Sequence, residues 1–135
     1  MVLREAGKAV LDAVYPAQPM HVAQIRREVC DIATNFGADE SALLRINLAV
    51  SEAVTNAVLH AYRDREAAGD VRVLVGHDDH ALDVSICDDG IGMSPRTDSP
   101  GLGLGIGLMA HETSRFEITT RPQGGTQVSM RFQLS

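Results

Sequence analysis

Three polar side chains lie four residues apart in the most apolar segment of the chain: Glu52, Asn56 and His60. Residues 46–60 contain no Gly or Pro and predict one helix, on which a step of four residues drifts by only about 40° around the axis. The three side chains therefore form one stripe beside an apolar face. Burying an acid, an amide and an imidazole costs free energy unless each has a partner. The stripe indicates a ligand site, a set of satisfied core residues or an exposed flank.

The first of two glycine-rich segments is Asp88-Asp89-Gly90-Ile91-Gly92, which begins where an alternating apolar strand ends. A carboxylate at a strand end, followed by glycines, can point at a ligand while the backbone approaches that ligand closely. A buried Asp that accepts from the exocyclic amine of adenine would discriminate against guanine, which presents a carbonyl there. An ordinary Asp-Gly turn is the alternative interpretation.

The second segment, residues 101–107, has glycine at alternate positions. The pattern predicts a long loop over residues 88–107 and a helix from Leu108, whose free amide groups and dipole would face a polyphosphate. The glycine spacing does not match the dinucleotide fingerprint, and no Lys follows the last glycine, which excludes a Walker-type loop. A mobile glycine-rich lid without a ligand is the alternative.

The composition limits the class of protein. A length of 135 residues predicts one domain over residues 1–135, and a net charge of -6 argues against a nucleic-acid surface. No apolar run approaches the about 20 residues that span a bilayer, and no signal peptide is visible. Cys30 and Cys87 lie in apolar segments, which favours reduced thiols and a cytoplasmic location. His77 and His80 indicate a solvated turn rather than a metal site.

The periodicity of apolar residues predicts the order of helices and strands. The predicted elements are a strand at 8–15, a helix from His21 to about Asn35, a helix from Asp39 or Ser41 to about Arg65, strands at 71–75 and 82–87, a helix of two or three turns from Leu108, and strands at 115–120 and 126–134. The simplest packing for this order is an α+β two-layer sandwich, with helices on one face of a mixed, mostly antiparallel sheet.

Together and in this order, these segments resemble the GHKL superfamily of ATP-binding domains. Glu52 to Tyr62 resembles the N box of that superfamily, Asp88 to Gly92 its G1 box, Gly103-Leu104-Gly105 its G2 box, and Gly124-Gly125-Thr126 its terminal Gly-Thr element. The run Ser-Glu-Ala-Val-Thr-Asn-Ala followed by His-Ala-Tyr is most similar to the anti-sigma-factor serine kinases. The resemblance covers residues 8–135 and implies the Bergerat ATP-binding fold.

The resemblance also implies a role for each matching residue. Glu52 would act as general base toward an incoming hydroxyl, Asn56 would bind the Mg²⁺ that bridges the phosphates, and Asp88 would hold the adenine amine. The other implied nucleotide contacts are Gly90 and Gly92 beside the base, Gly103, Leu104 and Gly105 in a lid over the phosphates, and Thr126 at the adenine end. Arg96, the cation between the G1 and G2 elements, is the candidate for contacting the γ-phosphate, and His60 would support the site structurally.

These roles imply a serine/threonine protein kinase that transfers the γ-phosphate of ATP to a STAS-type antagonist protein and also acts as a switch that binds a sigma factor. Two alternatives are an ATP-binding partner-switching module without phosphotransfer and a stand-alone histidine-kinase-type catalytic domain. Against the second alternative, the chain shows no helical hairpin with a phosphoacceptor His. The resemblance is compatible with a homodimer, and no direct contact with nucleic acid or membrane is expected.

Overall fold

The computed structural model describes residues 8–61, 69–90, 102–122 and 124–135, with the backbone alone for residues 60, 61 and 102–106. Its elements are β1 (Lys8–Pro16), α1 (Met20–Asn35), α2 (Glu40–Asn56), β2 (Asp70–His77), β3 (Ala81–Asp88), α3 (Leu102–Glu112), β4 (Arg115–Thr120) and β5 (Thr126–Gln133). A π-helical turn, Ala57–Ala61, continues α2 directly. The predicted second helix is therefore confirmed as far as Ala61, and its expected end near Arg65 lies outside the described residues.

The five described strands form one sheet in the order β1-β2-β3-β5-β4, and every pairing among them is antiparallel. The α+β class with helices packed on a sheet is thus confirmed, while the parallel pairing implied by a mixed sheet is not found among the described strands. Short turns join β2 to β3 and β4 to β5, which produces antiparallel pairs. The two helices between β1 and β2 return the chain to the end of β1, where Pro16 pairs with Asp70, so β2 also runs antiparallel to β1.

One face of the sheet forms the core with the helices. Its side chains alternate along three central strands and are Val71, Val73 and Val75, Leu82, Val84 and Ile86, and Val128, Met130 and Phe132. The opposite face carries polar groups: Arg131 binds Asp78 and Asp83, and the Ser85 and Ser129 hydroxyls are 3.2 Å apart. This alternation of apolar and polar faces is typical of an antiparallel sheet covered on one side.

The direction of α2 is set by contacts at its beginning. Asp39 caps the helix by accepting from the Ala42 N–H at 2.8 Å, and its own N–H donates to the Leu134 carbonyl at 2.9 Å. Arg45 donates to the Gln133 carbonyl at 3.2 Å. The helix therefore starts where β5 ends and runs back toward the start of β5. Its 17 residues span about 25 Å, close to the about 27 Å of an eight-residue strand.

The segment Glu40–Leu59 is long and apolar enough, by length and composition, to cross a membrane. This finding differs from the expectation that no apolar run approaches such a length. Half of the apolar window is buried inside the protein, however, and Ile46, Val50 and Ala53 have no exposed surface. The central helix of a protein core passes the same test because burial, like a bilayer, favours apolar side chains.

The start of α3 differs from the prediction. The helix begins at Leu102, not near Leu108, so the second glycine-rich segment is helical from its second residue instead of forming a loop. Helix α3 packs against α2 and β4, and Met109 is fully buried in the core. Glycine in a helix costs only about 1 kcal/mol per residue relative to alanine, and these tertiary contacts outweigh that cost.

Candidate functional site

Two buried polar residues are paired at one end of the strands, where β3 finishes and β5 starts. Asp88 ends β3, Thr126 begins β5, and the two are paired in the antiparallel register. Their exposed fractions are only 2% and 3%. Because buried polar groups require partners, this pair identifies the end of the sheet that carries the candidate site.

The Asp88 carboxylate is held by backbone donors. Its Oδ1 accepts from the Gly90 N–H at 2.9 Å, and the Thr126 N–H also donates to this side chain. Burial raises the pKa of Asp88, whereas the two backbone N–H groups act in the opposite direction. An ionised carboxylate has about four lone-pair sites, so these two bonds leave capacity to accept from a ligand amine.

The turn between β4 and β5 closes over Asp88. The Arg121 N–H donates to the Gly125 carbonyl at 3.1 Å, and the Gly124 N–H donates to the Arg121 carbonyl at 2.9 Å. Gly124 and Gly125 both have positive φ, and a β-carbon on Gly125 would overlap the main-chain oxygen of Asp88. The Gly-Gly-Thr element is therefore packed directly on the residue predicted to bind adenine.

Asn56 is the last residue of α2, at the opposite end of that helix from the cap that bonds to the residue after β5. Its exposed fraction is 2%, and its Nδ2 has no hydrogen-bond partner among the described residues. The amide can present either its oxygen or its nitrogen, because the two differ by a half rotation. A π-helical turn follows at once, and it lies against β3. Such turns occur frequently at functional sites.

Glu52 lies one helical turn before Asn56 and is half-buried. On a helix, residues four apart are neighbours on one face, so Glu52 and Asn56 share one face of α2. The adjacent Ser51 hydroxyl is buried and has no partner among the described residues. The partial exposure of Glu52 leaves its carboxylate within reach of a group arriving from solvent.

Helix α3, whose first turns are glycine-rich, packs beside α2. Gly103, Leu104 and Gly105 lie in the first turn of α3, not ahead of it as predicted. The first four N–H groups of a helix have no partner within the helix, and they carry the positive end of its dipole. The predicted donors for phosphate, free backbone N–H groups, are therefore those of the first turn of α3 rather than those of a loop ahead of the helix.

Two predicted site residues, Gly92 and Arg96, lie outside the described residues, as do the rest of the expected lid, residues 93–101, and the side chain of His60. The assigned roles of these residues stay predictions. The structure brings together Asp88, Gly90 and Thr126 through direct contacts, and it brings Glu52 and Asn56 together on one helix.

The donor set fits a nucleotide with Mg²⁺ better than a metal held by protein alone. No group of three or more His, Cys, Asp or Glu side chains with metal-binding geometry occurs in the described part of the chain. Mg²⁺ usually keeps several waters and takes one or two protein oxygens plus phosphates. The buried Asn56 amide would meet that requirement with its Oδ1, whereas the Nδ2, unpaired among the described residues, can only donate.

Arg121 is a site residue that the sequence analysis missed. Its Nη1 donates to the Asp88 carbonyl at 3.1 Å and to Asp89 Oδ1 at 2.7 Å. The available signal was the Asp88-Asp89 pair, because two adjacent carboxylates repel each other and a nearby cation relieves that repulsion. An arginine immediately before a Pro-Gln-Gly-Gly turn gave no indication of which strand end it would meet.

Comparison with known proteins gives concordant matches. A sequence profile of the family described as "Histidine kinase-like ATPase domain" matches residues 15–132. The chain is 32% identical over 128 residues to "Serine-protein kinase RsbW" of Bacillus licheniformis, which covers 85% of this chain and 79% of that protein. It is 32% identical over 99 residues to "Anti-sigma F factor" of Pasteuria penetrans, with 65% and 66% of the two chains covered.

A solved structure supports the same fold. The crystal structure of the RsbU and RsbW domains of a Mycobacterium tuberculosis protein matches with a TM-score of 0.70 and 23% sequence identity. The match covers 92% of this chain but 32% of that longer chain. At this identity, the likeness establishes the arrangement of helices and strands.

Proposed function

Because the chain belongs to the histidine kinase-like ATPase domain family, we propose that it is an ATP-dependent serine/threonine protein kinase that works as an anti-sigma-type switch. It transfers the γ-phosphate of ATP to a Ser or Thr hydroxyl of a STAS-type antagonist protein and alternates between that partner and a sigma factor. The observation that carries the proposal is the buried Asn56 amide, whose Nδ2 is unpaired among the described residues, with the half-buried Glu52 one helical turn before it.

Asp88 recognises the base. Its carboxylate accepts a hydrogen bond from the exocyclic amine of adenine, while Gly90 and Thr126 hold the carboxylate in place through their N–H groups. A guanine base would turn a carbonyl oxygen toward the same carboxylate and leave two acceptors facing each other. The arrangement thus favours ATP over GTP.

The phosphates lie between α2 and the start of α3. The free N–H groups around Gly103 and Gly105 donate to phosphate oxygens, assisted by the helix dipole. Asn56 supplies the protein oxygen for Mg²⁺, which neutralises charge on the phosphates when it is bound with ATP. In this proposal Arg96 contacts the γ-phosphate, and Gly92 lies beside the base.

Glu52 prepares the acceptor. Its carboxylate takes the proton of the incoming Ser or Thr hydroxyl as the hydroxyl oxygen bonds to the γ-phosphorus. At the same time the bond between that phosphorus and the β–γ bridging oxygen breaks, and ADP leaves. The half-exposed position of Glu52 suits this role, because a protein substrate must reach the carboxylate from outside. A cytoplasmic location follows from this function, since ATP and sigma factors are found there.

Incubation of the protein with γ-labelled ATP, Mg²⁺ and each STAS-domain protein encoded in the same genome tests the proposal. We expect label on a Ser or Thr of at least one of these proteins, and no label when Mg²⁺ is chelated. Tight ATP binding without any transfer of label would instead identify a switch that responds to nucleotide alone. Label retained on a histidine of the chain itself would indicate chemistry of the histidine-kinase type.

A further inference from the structure

The β4–β5 hairpin carries a cation that reaches the end of β3. We propose that Arg121 is a positioning residue that determines nucleotide specificity: it holds the Asp88–Asp89 segment so that the Asp88 carboxylate meets the adenine amine. This inference rests on the proposed ATP site. It concerns a residue outside every nucleotide-binding motif of the sequence.

The contacts of Arg121 fix two successive residues at once. One nitrogen, Nη1, donates to the main-chain oxygen of Asp88 at 3.1 Å and to the carboxylate of Asp89 at 2.7 Å. The Arg121 side chain is only 16% exposed, whereas that of Asp89 is 58% exposed. A largely buried guanidinium with charge-assisted bonds is held more firmly than a surface ion pair. Rotation of the Asp88–Asp89 peptide would break at least one of these bonds.

The main chain of Arg121 is also fixed. Its main-chain N–H and carbonyl both bond within the turn, to Gly125 and Gly124, and Gly125 packs on the Asp88 carbonyl. The Asp88 carbonyl is therefore contacted by the Arg121 guanidinium and by the turn that carries it. Because the Asp88 side chain bonds forward to Gly90, the position of its carboxylate depends on the orientation of this backbone.

The charge of Arg121 supports the same role. Burial is the largest cause that raises the pKa of Asp88; the neighbouring Asp89 carboxylate adds to it, and Arg121 acts in the opposite direction. An ionised Asp88 can only accept hydrogen bonds, whereas a protonated one would present a donor to the adenine amine. Arg121 therefore acts on both the position and the charge of the group that recognises the base.

A matched control exists on the same sheet. Arg72 makes a bidentate pair with Asp12 at 2.9 and 2.7 Å, with side chains 45% and 51% exposed. Neither residue of this pair is a predicted site residue. An effect that comes only from losing an arginine ion pair on this sheet would therefore also lower nucleotide affinity in Arg72→Ala.

Calorimetric titration with ATP and with inosine triphosphate, which carries a carbonyl where adenine has its amine, tests the proposal. We expect Arg121→Ala to lower ATP affinity about tenfold, the loss of one good charge-assisted contact, and to leave inosine triphosphate affinity unchanged. Arg121→Lys should restore part of the difference, because an ammonium can reach one of the two acceptors. Arg72→Ala should match the wild-type protein for both nucleotides.

A double variant tests whether Arg121 acts by positioning Asp88 or supports the nucleotide site independently of Asp88. If Arg121 acts through Asp88, adding Arg121→Ala to Asp88→Asn should lower ATP affinity little further. Equal losses for both nucleotides in Arg121→Ala, or full additivity in the double variant, would overturn the proposal. Should Arg121→Ala fail to fold, Arg121→Lys, which keeps the charge but can reach only one of the two acceptors, is expected to lower ATP affinity in part and to leave inosine triphosphate affinity unchanged. A wild-type protein that binds neither nucleotide would refute the proposed function itself, and this inference with it.

Discussion

A β-carbon on Gly125 would lie 1.9 Å from the main-chain oxygen of Asp88, far inside van der Waals contact. Gly125 has a φ of +86°, and the preceding Gly124 has a φ of +96° with open space around it. Both positions favour glycine for their backbone conformation. Only at Gly125 is glycine also required because the backbone of Asp88 lies so close. This contact packs the β4–β5 turn against the candidate adenine-binding residue.

This difference predicts unequal effects of two neighbouring substitutions. Gly124→Ala should lower the free energy of unfolding by about 1 kcal/mol, the cost of a left-handed conformation for a residue with a β-carbon. Gly125→Ala should cost at least about 3 kcal/mol, because the clash with Asp88 adds to that conformational term. Urea unfolding followed by circular dichroism measures both. Equal destabilisation would mean that the turn moves away from β3 without penalty.

A second prediction concerns the base itself. Asp88→Asn should weaken ATP binding by about 2 kcal/mol or more, since an acceptor facing the adenine amine is partly replaced by a donor. GTP should bind the wild-type protein more weakly than ATP, and the substitution should reduce that preference. Calorimetric titration with both nucleotides is the measurement. Unchanged ATP affinity in the variant would remove Asp88 from the base-recognition role.

Much of the sheet could be predicted from the sequence because its strands alternate regularly. Val71, Val73 and Val75 mark one face of β2, and the observed strand exceeds the predicted 71–75 by one residue before and two after. In β3 every residue is buried. The apolar alternation still identified its core face, because Asp83 and Ser85 are buried on the opposite one.

The first helical turns of α3 could not be predicted in the same way. Glycine at alternate positions has low helix propensity, and nothing local indicates that α2 and β4 would hold the segment as a helix. Arg121 was missed for a related reason. Its two acceptors, Asp88 and Asp89, are more than thirty positions away, and strand pairing alone brings them together.

A third prediction follows from the corrected start of α3. Gly107 lies inside this helix, is exposed, and has open space where a β-carbon would be. Gly107→Ala should therefore raise the free energy of unfolding by about 0.5–1 kcal/mol, the difference in helix propensity between the two residues. Urea unfolding would measure the gain. If the segment were the loop that the glycine pattern suggests, alanine would bring no such stabilisation.

A fourth prediction concerns stability at low pH. The hydrogen bond from Arg131 is the largest cause that lowers the pKa of Asp78 to about 2, and the His80 and Ala81 N–H groups add to it. A lowered pKa stabilises the fold above the unfolded pKa, here about 4, and the contribution is lost as the pH falls toward 2.

Asp78→Asn keeps an acceptor for the two N–H groups but removes the charge that faces Arg131. We expect the variant to be less stable than wild type by roughly 1 kcal/mol at pH 7, a value reduced by solvent screening at this partly exposed pair. The difference should vanish near pH 2. Urea unfolding at pH 7, 4 and 2.5 tests this, with the exposed neighbour variant Asp79→Asn as control.

The last prediction separates a kinase from a nucleotide-dependent switch. Glu52→Gln keeps the volume of the side chain but removes its basicity, so phosphoryl transfer to a STAS-domain protein should fall by about 10²–10⁴-fold. ATP affinity should stay nearly intact, because Asp88 and Asn56 carry the proposed contacts to the base and to Mg²⁺. The neighbouring Ser51→Ala variant, which removes a buried hydroxyl on the same helical turn, controls for disturbance of α2. If Glu52→Gln instead weakens ATP binding or lowers the melting temperature, Glu52 serves the metal or the packing of the helix, and the general base must be sought elsewhere.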